Sequence, residues 1–318
     1  MSLKPAPIPP NLQRPYAETS RTMSDTDALI SRSDLVSAAA RIEPLPASVS
    51  RLLQVTAAED FSAADVVEVV QFDPALAGDV LARANSAMSG ARDTIVDVRQ
   101  AAARIGATSV VEIAVSRAMR DRLAAPAPVY GLGPDALFRH GLIASVAADV
   151  VRRCAGVPVP NYLATAALVH DVGKLVIAEC IPEAFADALL PVAEAESITL
   201  DEAERRVLGV DHGEVSGFVV RTWGMPVTVQ TALTSHHALD ATTDTLTHAL
   251  AIADRIAHLV DELDPSSDDE GSDDVFEPAS LAAGVERSFS VCKIPIEKAA
   301  EIVIDAADAA ASALVAFR

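Results

Sequence analysis

Residues 73–90 read Asp-Pro-Ala-Leu-Ala-Gly-Asp-Val-Leu-Ala-Arg-Ala-Asn-Ser-Ala-Met-Ser-Gly and carry the signals of one complete helix. Asp73 suits the N-cap and Pro74 the first turn, because an aspartate accepts a free backbone N–H and proline needs no donor there. Gly90 is typical of a helix stop. The apolar residues that recur at helical spacing in between are Leu76, Val80, Leu81 and Ala84. Similar periodicity continues along most of the chain and no window alternates as a strand does, so the sequence predicts an all-α fold.

The composition combines small apolar residues with a strong excess of acid. Of the 318 residues 50% are hydrophobic but only 4% are aromatic, so the core must be built from alanine and valine on closely approaching helices. The 45 acidic and 25 basic residues give a net charge of −20. Such a charge repels phosphate backbones and anionic lipid, so we expect neither nucleic acid nor a membrane as a partner.

Targeting signals and cysteines point to a cytoplasmic protein. No stretch approaches the roughly 18 uninterrupted apolar residues of a transmembrane helix, and the proline-rich start lacks the apolar centre of a secretory signal. Three scattered cysteines form no disulfide framework and fit a reducing compartment.

Changes in composition divide the chain into five segments, and a proline- and glycine-rich break at 124–134 separates the two helical lobes. Segments rich in proline, serine or acid cannot bury enough apolar surface to order themselves. The predicted segments are a flexible leader (1–33), a first helical lobe (34–123), a second helical lobe (135–262), an acidic disordered loop (263–277) and a C-terminal helical segment (278–318).

All seven histidines lie in the second lobe, and several share helix faces with apolar residues. His140 falls on the stripe of Leu137 and Ala144, and Asp254 on that of Leu250 and Ala257. The candidate ligands that this pattern collects are His140, His170, Asp171, His212, His236, His237 and Asp254.

Inward-facing imidazoles and carboxylates need partners, because burial without one costs several kcal/mol. Imidazole nitrogens with carboxylate oxygens suit one or two divalent ions, namely iron, manganese, nickel or zinc. A single inward histidine is more often a hydrogen-bonded core residue, which is how we interpret His248 and His258, unless they are simply exposed. For the other residues the pattern leaves joint metal ligation and separate hydrogen bonding both open.

Several motifs of the sequence occur in the order in which they are found in a known protein superfamily. The order of His140, His170-Asp171 and Asp254 resembles the HD superfamily of metal-dependent phosphohydrolases, and residues 168–175 (Leu-Val-His-Asp-Val-Gly-Lys-Leu) are similar to its signature. Further motifs resemble the HDOD family within it, at 44–46, 71–76, 81–87, 101–106, 223–226 and 236–237. The resemblance spans roughly residues 35–262.

The resemblance implies a two-lobed helical bundle with an HD-like second lobe that serves in bacterial signal transduction. Many members of the family have lost ligands and act by binding partner signalling proteins, whereas this sequence keeps every candidate position. We therefore expect an HDOD-type regulatory module that acts by partner binding and carries a divalent-metal site.

The alternative is an active metal-dependent phosphohydrolase on a nucleotide or cyclic dinucleotide. Asp171 would then bridge two ions about 3.5–4 Å apart, and Lys174 would contact a phosphate oxygen, unless it is a solvated lysine. His140, His170 and Asp254 would complete one ion, and His212, His236 and His237 the other. No Gly-Tyr-Pro follows His237, which argues against cleavage of cyclic-di-GMP.

A remote alternative is a DNA-binding regulator, because residues 102–111 resemble a helix–turn–helix. A DNA-reading helix should be basic, and here only Arg117, Arg120 and Arg122 form a short cluster in an acidic chain. We interpret the segment as two packed core helices.

Overall fold

A computed structural model describes residues 30–56, 62–86, 94–181, 189–240, 243–262 and 284–316. Within these ranges the chain forms sixteen α-helices and two short 3₁₀ turns, Pro128–Tyr130 and Ile296–Lys298, and no β-strand. The all-α prediction is therefore confirmed. Most of the leader (1–29) and the whole acidic loop (263–277) lie outside the described residues, as does Gly90.

The first six helices precede the break at 124–134. They are α1 (Arg32–Arg41), α2 (Ala47–Thr56), α3 (Ala63–Val70), α4 (Pro74–Asn85), α5 (Val98–Ile105) and α6 (Ala107–Leu123).

The remaining ten helices follow the break. They are α7 (Ala136–Cys154), α8 (Leu163–Val169), α9 (Val172–Cys180), α10 (Leu190–Glu196), α11 (Leu200–Leu208), α12 (His212–Thr222), α13 (Val227–Ser235), α14 (Thr245–Glu262), α15 (Glu286–Val291) and α16 (Ala299–Ala316).

Side-chain caps set where several helices begin. The Asp73 carboxylate accepts the backbone N–H of Leu76 at 3.1 Å, with Pro74 in the first turn, as the sequence predicts. Ser62 and Asp65 form a reciprocal capping box at the start of α3.

The helices pack as two groups. Helices α2 to α6 pack on one another, and α7, α8, α9, α12, α13 and α14 form a second group around the long helix α7. Helix α6 joins the groups through contacts with α7 and α8. Helix α1 packs on α9 and α12, and α16 runs against α7, so both ends of the described chain lie on the second group.

Two glycines allow helix backbones to come into direct contact in the second group. A Cβ on Gly141 of α7 would lie 2.5 Å from the carbonyl oxygen of Leu168 in α8. A Cβ on Gly173 of α9 would overlap the carbonyl oxygen of His212 and lie 2.8 Å from the nitrogen of Ser216 in α12. Backbone in direct contact at these positions draws the histidine-bearing ends of the helices together.

None of the helices in the described part of the chain is long and apolar enough to cross a membrane.

We expect Glu112 of α6 to make stability depend on pH. Burial first, and then the Asp149 carboxylate of α7, raise the pKa of Glu112 from 4.5 to about 8, against the opposing charges of Arg152 and Arg83. A raised pKa means that folding takes up a proton between these values, so the free energy of unfolding falls as pH rises from about 4.5 through about 8.

Glu112→Gln should remove this slope, because glutamine mimics the protonated acid. Thermal melts from pH 5 to pH 9 should show the variant gaining several degrees in melting temperature over the native chain at the alkaline end. Glu68→Gln, at an exposed position of α3, is the matched control and should follow the native slope. Equal slopes for all three proteins would contradict the prediction.

Candidate metal centre

The structure brings all seven predicted metal ligands together in the second group of helices. The contributing elements are the middle of α7, the junction of α8 and α9, the start of α12, the end of α13 and the middle of α14. The side chains that meet there belong to His140, His170, Asp171, His212, His236, His237 and Asp254.

A break between two short helices presents the His-Asp dipeptide to the pocket. His170 is the C-cap of α8 and Asp171 the N-cap of α9, so both side chains leave the backbone where neither helix covers them. Close packing at Gly173 brings the first turn of α12 alongside, and with it His212.

Two carboxylates, those of Asp171 and Asp254, lie between the histidines of the site. The Oδ1 atom of Asp254 lies 3.1 Å from His140 Nε2 and 3.2 Å from His170 Nε2. The Oδ1 atom of Asp171 lies 3.1 Å from His212 Nε2 and 3.5 Å from His170 Nε2. Asp171 is therefore placed between the histidines near Asp254 and those on the α12 side.

Four imidazoles are anchored through Nδ1. His170 and His236 each lie with Nδ1 2.6 Å from a backbone carbonyl oxygen, of Ala167 and Leu233 respectively. A carbonyl only accepts, so each Nδ1 carries the proton and donates it.

The other two anchored imidazoles pair with carboxylates. His140 Nδ1 lies 2.8 Å from Asp261 and His212 Nδ1 2.8 Å from Glu204. This arrangement leaves Nε2 of each ring for the pocket, which is the orientation that metal-bound histidines adopt.

The donor set fits a divalent metal. Ligand atoms that each lie about 2.1 Å from one ion are roughly 3.0–3.4 Å apart, which matches the two distances at Asp254 and the 3.1 Å between Asp171 and His212. His236 Nε2 is buried without a hydrogen-bond partner among the described residues, and His237 Nε2 lies 2.8 Å from His212 Nε2. Nitrogen and carboxylate oxygen donors of this kind suit iron, manganese, nickel or zinc.

The comparison with protein families identifies the fold. The family model of the HDOD domain matches residues 42–239, which is more than half of the chain. The chain belongs to the HDOD family. The matched range contains six of the seven predicted metal ligands, and Asp254 lies beyond it.

Three solved structures share the HDOD fold. A protein from Shewanella amazonensis SB2B, provisionally named a phosphohydrolase, is 19% identical with a TM-score of 0.63, covering 87% of this chain and 97% of its own. An HDOD domain protein of unknown function from Geobacter sulfurreducens is 21% identical at the same TM-score and coverage. A protein from Marinobacter aquaeolei VT8, provisionally named a signal transduction protein, is 20% identical with a TM-score of 0.59, covering 88% of this chain and 65% of its own.

One relative among curated proteins is an uncharacterized protein of Treponema pallidum (strain Nichols). It is 24% identical over 206 residues, or 64% of this chain. The match spans 39% of the length of that relative.

The pocket of this HDOD protein is strongly charged. Burial alone would lower the pKa of His140 and His212, but facing carboxylates outweigh it and raise these pKa values to about 9 and about 10. Burial, then the neighbouring imidazoles, lower the pKa of His236 to about 3. A metal ion would therefore displace protons from the first two rings and find His236 already neutral.

Lys174 is buried and not a solvated lysine. Its Nζ lies 2.6 Å from Asp171 Oδ2, and the ammonium lies 6.0 Å from the ring centre of Tyr130. Its contact with a phosphate oxygen stays a prediction.

Three residues of the site escaped the sequence reasoning. Glu204 and Asp261 anchor imidazoles, and His258 Nε2 lies 3.4 Å from Asp254 Oδ1. Glu204 had a visible sequence signal, since it is four residues from both Leu200 and Leu208 on the apolar face of α11.

His248 is the core histidine that we expect, with Nδ1 2.9 Å from Ser288 Oγ.

We expect Glu204→Gln to weaken metal binding roughly 10–100-fold, because Glu204 is fully buried and accepts both the ring and the backbone N–H of His212. Competition with a chromogenic chelator measures the change. Glu194→Gln, at an exposed position of α10, is the control. Equal affinity in both variants would show that Glu204 does not orient His212.

Proposed function

We propose that this HDOD protein is a signal-transduction module that binds one or two divalent ions in its second lobe and acts by binding partner signalling proteins. The observation that carries this proposal is the set of seven candidate ligands, six buried and His237 partly buried, in which Nδ1 of four imidazoles already lies beside an acceptor. Structural pre-positioning of this kind is typical of a metal site and unusual for unrelated core histidines.

The residues favour two ligand groups. His140, His170 and Asp254 would hold one ion, and His212, His236 and His237 the other, with Asp171 in reach of both. The signalling role finds support in the provisional name of the Marinobacter aquaeolei protein, whereas partner binding rests on the resemblance stated from the sequence.

A second candidate is a metal-dependent phosphohydrolase acting on a nucleotide or cyclic dinucleotide. The position of Asp171 between the two groups favours it, as does the provisional name of the Shewanella amazonensis protein. Bound ions would supply Lewis acidity toward a phosphate and lower the pKa of water. Lys174 would then add a fixed positive charge beside the substrate phosphate.

We do not propose DNA binding. The basic residues of α6 are engaged within the protein: Arg117 pairs with Asp79, and Arg122 with Glu43. The Arg120 guanidinium lies 5.6 Å from the ring centre of Phe138.

An assay of the purified full chain separates the two candidates. The protein, supplied with iron, manganese, nickel or zinc, is incubated with nitrophenyl phosphoesters, nucleotides and cyclic dinucleotides. The module predicts metal binding without turnover, together with a stoichiometric complex with a signalling protein that is reproduced from purified components. Turnover that Asp171→Ala abolishes would establish the phosphohydrolase instead.

A further inference from the structure

His258 lies beside the ligands without belonging to the set that the sequence predicts. It follows Asp254 by one turn of α14, so both side chains lie on the same helix face. Its Nε2 is 3.4 Å from Asp254 Oδ1, and its ring centre is 4.6 Å from that of His140.

One carboxylate oxygen lies close to the Nε2 atoms of three imidazoles. Asp254 Oδ1 lies 3.1 Å from His140 Nε2, 3.2 Å from His170 Nε2 and 3.4 Å from His258 Nε2. A carboxylate oxygen has two lone pairs and accepts two good hydrogen bonds. One cation shared by all four atoms satisfies them together, and the three distances match those between ligands of one ion, roughly 3.0–3.4 Å.

The exposure of His258 separates it from the other ligands. Its side chain is 47% exposed, against 9% for His140 and 10% for Asp254. His258 therefore lies where the site meets solvent.

We propose that His258 is a further metal ligand, completing with His140 and Asp254 an outer cation position that exchanges with solvent more readily than the rest. This inference rests on the proposed metal binding. With His170 in reach, the outer position offers three imidazoles and one carboxylate, a set that favours zinc or nickel over manganese. The remaining group (His212, His236 and His237), which we call the inner group, keeps its ligands when His258 is lost.

The test is metal binding by the full-length His258→Ala variant, with Zn²⁺, Mn²⁺ and Co²⁺ each used alone. We expect about tenfold or greater loss of Zn²⁺ affinity at one of the positions, a smaller loss for Mn²⁺, and a changed visible spectrum of the Co²⁺ form. Release of zinc to EDTA should be faster than from the native chain. His258→Asp supplies another ligand and should restore part of the affinity.

Glu262→Gln is the matched control, since Glu262 is another exposed residue of α14. If His258→Ala matches this control in affinity, cobalt spectrum and zinc release, His258 is not a ligand, while the proposed metal site stands. If the native chain itself binds no metal, the proposed function fails and this inference with it.

Discussion

Asp171→Ala is expected to strip bound metal from the protein. The variant removes the carboxylate that lies 3.1 Å from His212 and 3.5 Å from His170, and with it a negative charge in reach of both ligand groups. The remaining imidazoles then lack charge balance toward a divalent ion. Elemental analysis of the desalted protein should show the metal content fall by at least half.

Loss of Asp171 also leaves Lys174 buried without its 2.6 Å partner, so misfolding must be separated from metal loss. Asp171→Asn keeps the volume and an acceptor for Lys174, and circular dichroism should show native helix content. Asp201→Asn removes another buried carboxylate, one paired with Arg205 at 2.7 Å outside the ligand groups. Native metal content in both Asp171 variants would contradict the assignment of Asp171 as a ligand.

Gly173→Ala is expected to destabilise the second group of helices strongly. The added Cβ would overlap the carbonyl oxygen of His212 and lie 2.8 Å from the Ser216 nitrogen. Backbone cannot rotate away as a side chain does, so α9 and α12 must separate and strain the 2.8 Å hydrogen bond from Gly173 N–H to Ser216 Oγ. We expect a cost of about 3 kcal/mol or more.

Thermal or urea unfolding measures this cost, and metal affinity should fall with it because His212 moves. Gly78→Ala is the control, since no atom outside its own helix lies within 4 Å of a Cβ at that exposed position. There alanine should stabilise by about 0.5–1 kcal/mol. Equal stability of the two variants would mean that α9 and α12 do not approach as described.

Local signals account for the parts of the fold that the sequence predicts well. Asp73 and Pro74 begin α4 as predicted, because caps and apolar stripes act within a few residues. The packing of α1 on α9 and α12 has no such signal, since it depends on surfaces more than a hundred residues apart in the chain.

In the candidate site, too, the features with a local sequence signal are predictable and those that depend on distant residues are not. Inward periodicity placed His140 and Asp254 correctly, since each shares a stripe with apolar neighbours. The burial of Lys174 has no sequence signal, because a lysine beside a glycine gives no sign that Asp171 pairs with it in the interior. The sequence leaves His258 as a core or an exposed histidine, because its relation to three other side chains exists only in the folded protein.

The most direct test of the metal site is the metal content of the purified native chain. Protein expressed with iron, manganese, nickel and zinc available is desalted, and its metals are counted by mass spectrometry against protein concentration. The ligand set predicts one or two tightly held divalent ions per chain, removed by chelator and recovered on adding the metal back. A folded protein that carries no bound metal, and takes up none of the four when they are supplied, would contradict it.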